Sequence, residues 1–74
     1  MAEWGVVLFQ STNVAVKAER VTLEAGLNVR LIPAPRYLGP DCGVALRFPW
    51  EERTRVESVL TQSDVPFTRI TEIE

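Results

Sequence analysis

Histidine is missing from this 74-residue sequence, and lysine and cysteine each occur once. Without histidine there is no imidazole to serve as a base or metal ligand. With one cysteine there is no internal disulfide, no Cys-x-x-Cys redox pair and no thiolate zinc set. The four glycines never gather into a phosphate-cradling loop. These gaps leave a self-sufficient hydrolase or metal enzyme without its usual groups, and no motif calls for a cofactor. Glu51 and Glu52 are adjacent carboxylates, but neighbours on a helix point in different directions and suit the helix dipole better than an acid–base couple.

Long apolar runs are also lacking. The opening "MAEWGVVLFQ" carries no basic leader, and its run of about five apolar residues is too short for a signal peptide or a membrane span. The expectation is a soluble, cytoplasmic protein, in keeping with a lone thiol in a reducing compartment. Charge of either sign is scarce as a net quantity, eight basic against ten acidic residues giving −2. No strong field draws the chain to nucleic acid or an anionic membrane. What is present is a folded-protein composition, 46% hydrophobic and 24% charged. Residues 1–74 are read as one domain, short enough to hide only about 60% of its unfolded surface, so that burial against a second copy would help it.

The apolar pattern changes period along the chain. "WGVVLFQ" is too brief and too β-branched for a helix and reads as a buried strand. In "STNVAVKAERVTLEAG", Val14, Ala18, Val21 and Ala25 fall on one helical face, with Ser11, Thr12 or Asn13 as cap and Gly26 as stop. "LNVRLIP" alternates as a second strand that Pro33 and Pro35 end. "APRYLGPDC" is a loop, and "GVALRF" alternates again as a third strand. "PWEERTRVESVLTQS" reads as a second helix with a Glu51–Arg55 pair, and "VPFTRITEI" as a last strand in which Phe67 and Ile70 have opposite parity.

The order β-α-β-β-α-β predicts an α+β, ferredoxin-like fold: a four-stranded antiparallel sheet with two helices on one face. Val6, Leu8, Val29, Leu31, Val44, Leu46 and Phe48 are expected to face the helices. Val7, Phe9, Arg30, Ile32, Ala45 and Arg47 would then line the open face, partly apolar and suited to a second copy or another partner. Bases would find no aromatic pair there to stack on, so neither nucleic acid nor membrane is an expected partner.

In this topology the first and third strands are central and antiparallel, so Gln10 should neighbour Cys42 and Gly43. The first helix starts at the same edge, bringing the backbone N–H groups around Ser11 and Thr12 toward the only thiol. A free cysteine has a pKa of about 8.5, which a helix N-terminus or a cation such as Arg36 lowers and a carboxylate such as Asp41 raises. A passive role stands beside each active one. Cys42 can be core filler, Gly43 a glycine needed for a tight turn, Pro33 and Pro35 loop stiffeners, and Arg30, Arg36 and Arg47 solvated side chains.

The pieces "FQST" at 9–12, "AGLNVRLIPAPR" at 25–36 and "CGVALRF" at 42–48 resemble the selenium/sulfur (Se/S) carrier protein-like family, a group of small bacterial domains with a Cys-Gly motif. The resemblance spans nearly the whole chain and rests on P-x-P-R followed six residues later by C-G-x-A-L. It implies that Cys42 is the carrier position, with Pro33, Pro35, Arg36 and Gly43 as further motif positions. It also implies a carrier that takes sulfur or selenium from a donor such as a cysteine desulfurase and passes it to an acceptor protein. Gly39, Pro40 and Asp41 stand where small residues such as serine often precede the family cysteine. The Cys-Pro motif of the TusA-type sulfur carriers is absent, so their partners are not carried over. The other reading of the chain is a non-enzymatic interaction or small-ligand module that uses Val7, Phe9 and Ile32 on the open face.

Overall fold

The computed structural model describes residues 3–34, 37 and 43–73. Four strands, β1 (Trp4–Leu8), β2 (Arg30–Pro33), β3 (Val44–Pro49) and β4 (Arg69–Ile73), form one sheet in the order β2-β3-β1-β4, every neighbouring pair antiparallel. Helix α1 (Thr12–Glu24) joins β1 to β2. A 3-10 turn (Trp50–Glu52) leads from β3 into α2 (Arg53–Gln62). Both helices pack on the same face of the sheet, through one core that contains Ala15, Ala18, Val56 and Leu60 together with Val7, Phe9, Leu46 and Phe48. This is the expected α+β, ferredoxin-like class.

Local chemistry explains the helix ends. Ser11, in extended conformation, accepts a hydrogen bond from the Val14 N–H at 3.3 Å and caps α1. At the other end Gly26 N–H donates to Leu23 C=O and Leu27 N–H to Thr22 C=O, a Schellman closure that tucks Leu27 into the core. Helix α2 ends in the same way, with Asp64 N–H donating to Thr61 C=O and Val65 N–H to Leu60 C=O. There Asp64 takes the left-handed position, with φ of +56°. Arg55 pairs with Glu52, three residues back, at 3.8 Å and not with Glu51, although both carboxylates lie in the 3-10 turn before the helix proper. Arg55 also donates to the Ala25 carbonyl at 3.1 Å, tying α2 to the exposed end of α1. The core stripe of α1 centres on Ala15, Ala18 and Thr22, with Val14, Val21 and Ala25 at its margins. Thr22 is buried without cost to its hydroxyl, which donates within the helix toward Ala18 and Glu19 C=O.

The expected facing of β1 is also overturned. Val7 and Phe9 point to the helices, and Val6 and Leu8 point away with Ala45, Ile32 and Ile73. The register sets Val7 opposite Leu46 and Gly5 opposite Phe48. Four consecutive apolar residues give no parity of their own, so packing decides it. Gly5 decides: a Cβ there would meet Trp50 Cε3 at 2.5 Å and Phe48 Cζ at 2.7 Å. The position must therefore be a glycine on the helix side, and Val7 and Phe9 follow it two and four residues on. The parity conflict at the last strand also resolves. Phe67 precedes β4, so both Phe67 and Ile70 pack against the helix-side core without a bulge.

Candidate functional site

Three chain segments meet at the edge of the sheet where β1 and β2 end and β3 begins. The β1–β3 register runs to Leu8 opposite Ala45, which leaves Gln10 and Gly43 each two residues beyond the last pair at this edge. On the other side, Pro33 pairs with Val44, and the next residue, Ala34, donates its N–H to Gly43 C=O at 3.0 Å. Gly43 thus sits at the mouth of the β2–β3 hairpin, one residue after Cys42 and level with the turn that enters α1.

The expected site residues divide as follows. Ser11, Thr12, Pro33 and Gly43 are brought to this one edge. Ser11 is half-buried and spends its oxygen on the helix cap, whereas Thr12, Pro33 and Gly43 are exposed. Cys42, Arg36 and Pro35 lie outside the described residues, as does Asp41. Gly43 has φ of +89°, and a Cβ added there would meet nothing within 4 Å. Backbone conformation, not crowding, is what calls for glycine at this position.

Beside the edge lies a groove of about 590 Å³ lined by Gln10, Ser11, Val14, Pro66, Phe67 and Thr68. Its far wall is the segment leading into β4, held by a Thr68 N–H to Leu8 C=O bond of 2.7 Å. The sequence pattern does not reveal this wall, because Pro66 to Thr68 read simply as the start of a strand. The groove mixes an amide and two hydroxyls with an apolar floor. Val14 and Phe67 form that floor, and each also packs against the main core. Among the described residues no three His, Cys, Asp or Glu side chains gather as a metal site. No helix among them is long and apolar enough to cross a membrane.

A family model described as "Putative Se/S carrier protein-like" matches residues 4–72. The chain belongs to this family. No curated protein and no solved structure gives a significant match. The Se/S carrier-like match runs from the first described strand to the last. Of the apolar residues expected on the open face as a contact surface, Ile32 lies there, half-buried, but Val7 and Phe9 do not. Val7 and Phe9 are fully buried under the helices, and Val6, Leu8 and Ala45, which replace them, are themselves at most 1% exposed.

Proposed function

We propose that the protein carries sulfur or selenium on Cys42. The Cys42 thiolate attacks the outer sulfur of a donor persulfide, forming a new S–S bond as the donor's S–S bond breaks and its thiolate leaves. The atom then travels as a Cys42 persulfide, or as a selenosulfide when selenium is the cargo. It is lost when an acceptor nucleophile attacks the outer atom and Cys42 departs as thiolate. A cysteine desulfurase or a similar enzyme is the donor, and the acceptor is another protein.

The observation that supports this reading is the family match over residues 4–72, which runs through the single cysteine of the chain. In the proposed arrangement, Arg36 and the N–H groups at Ser11 and Thr12 favour the anion. Gly43 leaves its surroundings open to a partner's cysteine, and Pro33 and Pro35 stiffen the loop that carries Arg36. Alkylation of the folded protein by iodoacetamide across a pH series tests the premise. Cys42 is expected to react in the native state at least as readily as a small-molecule thiol. A thiol that alkylates only after unfolding would end the proposal.

A further inference from the structure

We infer that the outer face of the sheet, the side away from the helices, docks an acidic segment of a partner protein. Arg30 and Arg47 sit directly opposite each other on β2 and β3, and Arg69 lies on the far edge strand opposite Leu8. By strand alternation all three point outward. None of the outward positions of the four strands holds Asp or Glu. The only ion pair among the described residues is Arg55 with Glu52, so these three arginines have none. Like charges directly across a sheet destabilise it, and this fold keeps such a pair. The Arg47 guanidinium lies 4.3 Å over the Trp4 ring, and its buried Nε has no hydrogen-bond partner. Arg30 and Arg69 are exposed.

The occupant follows from charge and from what is accessible. The chain totals −2, so with +3 gathered on this face everything else sums to −5. A second copy docked face to face would bring six guanidinium groups together. It would also find no apolar centre to bury, because Val6, Leu8 and Ala45 are already inaccessible. A nucleic acid strand would meet one aromatic ring on this face, Trp4, with Arg47 already stacked on it. A carboxylate needs neither an apolar centre nor a stacking platform, and it matches the guanidinium fork. Strand spacing puts Arg69 about 12 Å from Arg47. Acidic side chains two turns apart on a helix, about 11 Å, span that distance.

The inference is independent of Cys42 and is tested without it. Fluorescence polarisation would follow a labelled helical peptide bearing glutamate pairs two turns apart, its glutamine analogue, and a single-stranded oligothymidylate. The glutamate peptide is expected to bind the intact chain in preference to both. The Arg30→Glu/Arg69→Glu protein should lose about tenfold or more in affinity, and Arg30→Gln/Arg69→Gln should fall between. Lys17→Glu/Arg20→Glu, which makes the same charge change on exposed positions of α1, should stay within about twofold of the parent. Equal losses in the two charge-reversed proteins would overturn the inference. So would tighter binding of the oligonucleotide, no binding of the glutamate peptide, or sedimentation showing a dimer that Arg30→Glu/Arg69→Glu dissolves.

Discussion

Replacing Gly5 by alanine tests the packing that fixes how β1 faces the core. The added methyl would lie 2.5 and 2.9 Å from two atoms of the Trp50 ring and 2.7 Å from Phe48 Cζ, against ordinary contact beyond 3.4 Å. The two rings stack with centroids 6.0 Å apart; Phe48 is fully buried and cannot retreat, and Trp50, half-buried, packs against the same core. Overpacking of this kind costs about 1–3 kcal/mol, and contact with both rings puts Gly5→Ala near the upper end. The lower entropy of an unfolded alanine chain returns about 0.5 kcal/mol, leaving a net loss of about 2 kcal/mol. For a chain of this size the whole stability is about 4–11 kcal/mol, and the loss lowers Tm by about 8–16 °C. Urea unfolding with an unchanged m-value is the assay. Trp50→Leu removes most of the clash, so Gly5→Ala should cost at least about 1 kcal/mol less in that background. A Gly5→Ala protein as stable as the parent would refute the placement of both rings, and with it the reason Val7 and Phe9 face the helices.

Two further substitutions test local geometry. Ser11→Ala removes the acceptor for the Val14 N–H and is expected to cost about 1 kcal/mol in chemical denaturation, with amide exchange rising first in the opening turn of α1. Asp64→Gly relieves the left-handed backbone that closes α2 and should raise stability by about 0.5–1 kcal/mol, read as a higher urea midpoint.

The order of elements was legible because the apolar period changes from two to nearly four and back, and because Ser11 and Gly26 mark the ends of α1. The faces of β2 and β3 were legible too, since Val29 and Leu31, and Val44, Leu46 and Phe48, alternate with less apolar neighbours. β1 was not, because Val6 to Phe9 are all apolar and only the aromatic rings over Gly5 choose between the two faces. The Glu52–Arg55 pair was missed by one residue because a helical pattern cannot tell a 3-10 turn from the helix it leads into. At the candidate site, topology alone foresaw that the end of β1 meets the start of β3. The groove wall at Pro66 to Thr68 was invisible, since it comes from the far end of the chain and forms only once β4 docks on β1. The unpaired arginines of the outer face were visible one at a time, but their grouping needs the register.

The measurement that bears most directly on the carrier reading is intact-protein mass spectrometry after incubation with a cysteine desulfurase and cysteine. The account predicts a mass increase of one sulfur atom on Cys42 that a reducing agent removes, that Cys42→Ser abolishes, and that falls when an acceptor thiol is added. A Cys42 thiol that stays unmodified while the desulfurase loads a known sulfur acceptor in the same mixture would contradict it.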